Sequence, residues 1–173
     1  LKHHFDEMGR LHIEQADALN VDYSALAERL GGELRIVANL PYNISTPLLF
    51  HLLTHRKAII EMTLMFQKEV AERIAATPGS KAYGTLSVQC GMWLTMEKVL
   101  LVPPGAFYPS PKVQSMVIRL TRRDQPAAPL ENPLFFTRVV RAAFGQRRKT
   151  LHNALKSLNP QPDEWLHSAG IDP

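Results

Sequence analysis

An aliphatic run, Leu34-Arg35-Ile36-Val37-Ala38, passes without a break into Asn39-Leu40-Pro41-Tyr42. Branched aliphatic residues followed by Asn and Pro read as a buried strand that ends in a loop. In open α/β sheets, ligands bind just beyond the carboxyl ends of the strands. An amide, a rigid turn and an aromatic ring at that spot suit a planar, hydrogen-bonding substrate such as a nucleobase. Taken alone, the four residues read equally well as a turn with an incidental tyrosine. The rest of the chain separates the two readings.

Residues 1–8 have the pattern of a helix tail, with Gly9 as its C-cap. Leu11 to Ala16 alternates apolar and polar, as a short strand does, and leads into Asp17-Ala18-Leu19. A carboxylate just past a strand end can accept a hydrogen bond from an exocyclic amine; it can equally cap a turn. Tyr23 to Leu30 is helical in composition and stops at Gly31-Gly32. After the central loop, Ser45 or Thr46 is the expected N-cap of a helix with Pro47 in its first turn. A strand over Ile60–Phe66 and a helix from Lys68 to Ala76 follow. Residues 77–84 are a loop, and Thr85 to Leu94 is helical.

Lys98 to Val102 is strand-like and is broken by Pro103-Pro104-Gly105. Residues 106–113 form a proline-stiffened loop that presents Phe107, Tyr108 and Lys112; Pro109 and Pro111 hold their neighbours extended. Ser115 to Leu120 is the last strand. The two strands flanking this loop read as an antiparallel pair closing an otherwise parallel sheet.

Residues 122–129 form a polar, proline-containing linker, which divides the chain into domains at 1–123 and 124–173. Beyond it the pattern is helical over 133–143, 146–158 and 164–169. Residues 1–110 hold ten Lys/Arg and eleven Asp/Glu, a balance of −1, whereas residues 111–173 hold ten and five, a balance of +5. A basic tail half suits a polyanionic partner, because phosphate contacts supply most sequence-independent affinity for nucleic acid. Within it, Arg147-Arg148-Lys149 opens the second helix, with its cations fanned around it to grip phosphates. Cys90 is the only cysteine, and no Cys/His cluster has zinc spacing, so neither a disulfide nor a metal is expected. No apolar run approaches the length needed to cross a bilayer. A reducing, cytoplasmic setting is the expectation.

Six blocks taken together resemble the ribosomal RNA adenine dimethyltransferase family, and within it the bacterial small-subunit branch. They are residues 15–18, 39–47, 66–70, 83–88, 103–113 and 144–151, and they span nearly the whole chain in the family's order. The resemblance implies an α/β class I, Rossmann-like sheet that uses S-adenosylmethionine, followed by a small all-α domain that binds RNA. It implies that Asp17 and Ala18 hold the cofactor's adenine, with Asn39 between cofactor and substrate. The Asn39 side chain and the Leu40 carbonyl would accept hydrogen bonds from the target N6, while Pro41 shapes the turn. Tyr42 and Phe107 would sandwich an extruded adenine. Lys112, Arg122, Arg123, Arg147, Arg148 and Lys149 would contact 16S rRNA in the immature small subunit. The reaction implied is dimethylation of two adjacent adenines near the 3′ end of that RNA.

The family's glycine-rich loop and its ribose-binding acid belong ahead of Leu1, on the first two strands. The sheet is therefore expected to lack those strands and to bare one side of the strand at 34–38. A preceding segment or a second chain would cover that edge. Two other readings compete: a 23S rRNA adenine methyltransferase conferring antibiotic resistance, and a non-catalytic rRNA-binding assembly factor.

Overall fold

The computed structural model describes residues 12–146 and 148–172. The helix expected over 1–8, with its Gly9 cap, and Arg147 lie outside the described residues. Helix α1 (Tyr23–Leu30) begins at Asp22, whose carboxylate accepts the Ser24 and Ala25 N–H groups. It ends at Gly31, which takes the left-handed conformation (φ 74°) that glycine adopts without steric cost. Strand β1 (Leu34–Asn39) leads through the Pro41 turn to α2 (Ser45–Thr54), and a short 3-10 turn then feeds β2 (Ile59–Gln67). Next come α3 (Lys68–Ile74), α4 (Thr85–Trp93), β3 (Leu94–Val102) and β4 (Ser115–Arg122). Helices α5 (Pro133–Gly145), α6 (Leu151–Leu155) and α7 (Asp163–Ser168) complete the chain.

The four strands form one sheet in the order β1-β2-β4-β3. β1 and β2 are parallel, while β4 runs antiparallel to both β2 and β3. This is the parallel core closed by an antiparallel pair that the sequence implies. One face of the sheet packs on α2, α3 and α4: Leu49, Leu52, Leu64, Phe66, Ile74, Cys90, Ile118 and Leu120 are fully buried there. Burial pushes the Cys90 thiol up to about 12, so it behaves as a small apolar side chain. The other face carries charges of alternating sign across all four strands. Arg35 meets Glu61 at 3.2 Å, Glu61 meets Arg119 at 3.8 Å and Arg119 meets Glu97 at 3.0 Å.

Four local expectations fail, each for a physical reason. Residues 12–16 are exposed and form no strand, because no neighbour among the described residues offers a ladder to join. β1 lies at the sheet edge, as expected, but it is half-buried rather than buried: Val37, on the face it shares with Arg35 and Asn39, is 82% exposed. The residue preceding α2 is Ile44, whose side chain has no acceptor to cap with; Ser45 is already helical and its hydroxyl donates to the Tyr42 carbonyl at 3.0 Å. In the tail, the helix expected over 146–158 is confined to Leu151–Leu155, since the Thr150 hydroxyl caps its first turn. Arg148 and Lys149 therefore stand in the turn ahead of the helix instead of fanning around it.

α5 starts at Pro133, as expected, and the structure adds a cap: the Asn132 side chain accepts the Phe135 N–H. Val140, Ala154, Leu155 and Leu166 are buried outside the main core cluster. His152 meets Asp163 at 2.8 Å and so joins α6 to α7. No helix among the described residues is long and apolar enough to cross a membrane.

Candidate functional site

Sheet topology decides what can meet. β1 and β2 end at the same side of the sheet; β3 also ends there, and β4 starts there, with Gln67 and Val102 both opposite Ser115. The loop after β1 and the proline loop before β4 therefore emerge side by side. They enclose a cavity of about 340 Å³ lined by Asn39, Leu40, Pro41 and Tyr42 from one loop and Phe107, Tyr108, Pro109 and Pro111 from the other.

Each wall has its own support. Asn39 continues the exposed face of Arg35 and Val37, whereas Leu40 turns inward and is buried, which anchors the loop to the core. A turn closes from the Ile44 N–H to the Pro41 carbonyl at 3.2 Å. Tyr42 is fastened at both ends: its carbonyl accepts the Ser45 hydroxyl, and its phenol shares a hydrogen bond of 2.7 Å with the Ser115 hydroxyl. On the other wall, the Pro104 carbonyl accepts both the Phe107 N–H at 3.2 Å and the Ser110 hydroxyl at 3.0 Å. Lys68 holds the exit of that loop through its N–H to the Gln114 carbonyl (2.9 Å) and its ammonium to the Gln114 side chain (3.1 Å). Tyr108 is fully exposed at the rim.

Apart from this cavity lies Asp17. Its carboxylate accepts the Leu19 N–H on one oxygen and the Asn20 amide on the other, each at 3.0 Å. Each oxygen keeps a further acceptor position, and the residue is exposed, so an exocyclic amine fits there without displacing the turn. The Tyr23 hydroxyl donates to the Ala18 carbonyl and fixes the same turn against α1.

The basic residues divide. Lys112 flanks the proline loop, and among the described residues no ion pair engages Lys112, Arg148 or Lys149. Lys149 lines a second cavity, of about 420 Å³, together with Arg73 and Lys81 and the edge-to-face pair Tyr83 and Phe144. Three cations and no carboxylate line it, which suits a phosphate. In the sequence Arg73 and Lys81 are isolated cations, on a helix and in a loop, and no local pattern joins them to Lys149. Arg122 and Arg123 lie at the far end of β4. Arg122 pairs with Glu33 at 2.6 Å and donates to the Lys57 carbonyl, and Arg123 donates to the Gly91 and Leu94 carbonyls. The structure does not bring these two to the cavity of Asn39.

The family model for ribosomal RNA adenine dimethylase matches residues 1–173. The chain is 56% identical over 165 residues to the ribosomal RNA small subunit methyltransferase A of Magnetococcus marinus, covering 95% of this chain and 59% of that protein. It is 49% identical over 173 residues to the protein of that description from Pseudomonas aeruginosa, covering all of this chain and 63% of the relative. Among solved structures, a dimethyladenosine transferase from Plasmodium falciparum matches with a TM-score of 0.76 at 29% identity, over 99% of this chain and 62% of that one. The 23S rRNA methyltransferase ErmE shares the fold, with a TM-score of 0.71 at 21% identity over 99% and 67%. The chain spans about three fifths of the length of the relatives it matches. On the whole-chain family match and on relatives about half identical to it, this chain belongs to the ribosomal RNA adenine dimethylase family.

Proposed function

We propose that the protein carrying this chain dimethylates the N6 amines of two adjacent adenines near the 3′ end of small-subunit rRNA, with S-adenosylmethionine as the methyl donor. The observation that carries this reading is the cavity in which Asn39, Leu40 and Tyr42 meet Phe107 from a loop far along the chain. The names of the small-subunit relatives favour 16S over 23S RNA as the substrate. The family and the fold suit a cytoplasmic enzyme acting on immature subunits.

An adenine amine is a poor nucleophile because its lone pair is delocalised into the ring. The Asn39 side-chain oxygen and the Leu40 carbonyl accept its two N–H bonds and draw N6 toward tetrahedral geometry, which frees the pair to attack. The cofactor, when bound, would supply a methyl group on a sulfonium: the sulfur–methyl bond breaks to leave a neutral thioether as the bond to N6 forms, and the now acidic N6 loses its proton to water, so no strong base is needed beside it. Asp17 holds the adenine end of that cofactor by accepting its amine. Tyr42 and Phe107 stack on the two faces of the extruded base, and stacking is worth roughly 1–3 kcal/mol per base. Much of the rate then comes from positioning.

Residues 124–173 act as the RNA-binding helical unit. Lys112, Arg147, Arg148 and Lys149 supply phosphate contacts, and Arg122 and Arg123 add to them only through guanidinium N–H groups not already bound to carbonyls. Transfer of labelled methyl groups to immature small subunits, mapped by primer extension across both rRNAs, tests the whole reading. Label confined to two adjacent adenines of 16S RNA is the expected result; label in 23S RNA, or none, would refute it.

A further inference from the structure

We propose that Ser115 is a positioning residue for base methylation and acts through the hydroxyl of Tyr42; the inference rests on the adenine-methylating reading above. Ser115 is fully buried, at the first position of β4 and flanked by β2 and β3. A buried hydroxyl is costly to leave unpaired. The side-chain partner of Ser115 is the Tyr42 phenol, 2.7 Å away. Tyr42 stands on the loop after β1, so this bond reaches across β2, from the loop of an edge strand to a central strand.

The geometry has a specific consequence. A tyrosine hydroxyl lies on the long axis of its ring, so anchoring it fixes the direction in which the ring points. The Ser45 hydroxyl, itself buried, fixes the other end by donating to the Tyr42 carbonyl. Phe107, on the facing wall, is held by its own N–H to Pro104. The Tyr42 wall of the cavity is therefore held in place before the target base enters, and does not have to be ordered first. Without Ser115 the Tyr42 ring regains its side-chain freedom, and stacking must then fix it at the moment of reaction.

The test compares Ser115→Ala, Tyr42→Phe and the double variant with the native enzyme at its full natural length, using S-adenosylmethionine and immature small subunits. Each single substitution is expected to lower kcat about five- to tenfold, the size of one positioning hydrogen bond. The double variant is expected to fall no further, and the affinity for subunits, set by the basic surface, to stay unchanged. Losses that multiply in the double variant, or native kcat in either single variant, would overturn the inference. If Ser115→Ala does not fold, Tyr42→Phe decides by itself: a reduced kcat upholds the inference and a native kcat ends it. A native enzyme that leaves 16S RNA unmethylated removes the proposed function and this inference together. Native methylation with an undiminished Tyr42→Phe variant removes the inference alone.

Discussion

The two ends of the sheet use their polar and charged groups in opposite ways. At the end where β1 and β2 finish, aromatic and polar groups face open space: Asn39 is exposed, Tyr108 stands clear of the surface, and Phe107 lines a cavity. At the other end the cations are engaged. Arg122 holds Glu33 and the Lys57 carbonyl, and Arg123 binds two carbonyls. Arg56 lies 3.9 Å over the Trp93 ring and donates to the Leu53 carbonyl. Desolvation lowers the pKa of that Arg56 guanidinium, as expected of a charge used inside the structure. One end keeps its hydrogen-bonding capacity for a ligand; the other uses it to join strands, helices and linker. Sequence type alone does not tell an arginine that binds RNA from one that ties down a strand.

That division makes unequal predictions. Asn39→Ala should lower methyl transfer by about 10²–10³-fold, the size of losing one preorganised polar contact, with little change in melting temperature or RNA affinity. Near-normal turnover would show that the open end is not the reaction site. Phe107→Ala should cost about 1–3 kcal/mol in kcat/KM, the worth of one stacking face, measured at subsaturating subunits. At the closed end, Arg122→Gln should destabilise folding by about 1 kcal/mol and weaken RNA binding less than loss of a free surface cation does. Lys149→Gln should do the reverse, weakening RNA binding and reducing its salt dependence by roughly one counterion. An Arg122 variant that weakens RNA binding more than the Lys149 variant would erase the distinction between the ends.

The smallest effect is at Asp22, beside His55 and Ser24 at the closed end. The Ala25 N–H, then the Ser24 N–H and the charges of His55 and His51, hold the Asp22 carboxyl below its ordinary value of 3.8. A depressed carboxylate stabilises the fold at pH above its unfolded value, and the contribution is lost as pH falls through the lower folded value. Asp22→Asn keeps a cap acceptor but removes the charge, so its melting temperature should vary less with pH in that acid range. An acid limb as steep as the native one would place the effect elsewhere.

Much of this fold is legible residue by residue. The Gly31 stop, the Pro133 start and the break at Pro103–Gly105 all follow from local rules of backbone geometry. Their causes lie within a few residues of each position. The bare edge of β1 followed from the resemblance, but its half-exposed burial did not follow from its aliphatic run, because that depends on what packs against each face of the sheet. Ser45 had the chemistry of an N-cap, but the tight turn starts the helix one residue earlier, so Ser45 stands inside it and its hydroxyl donates to the Tyr42 carbonyl. The run at 147–149 carried its charge in the sequence, but where the helix begins is fixed by the Thr150 hydroxyl.

By itself, the sequence settled the family, the order of the elements and the residue types gathered at the candidate site, because these depend on composition and short-range spacing. The tertiary structure put Phe107 and Tyr42, which the resemblance pairs, on one cavity, and it alone decided that Ser115 holds the Tyr42 ring and that Arg122 and Arg123 face away from both. Those facts come from strand order and direction, which set which loops emerge together and which charges find partners. Such relations join residues distant in the chain, and no local pattern encodes them.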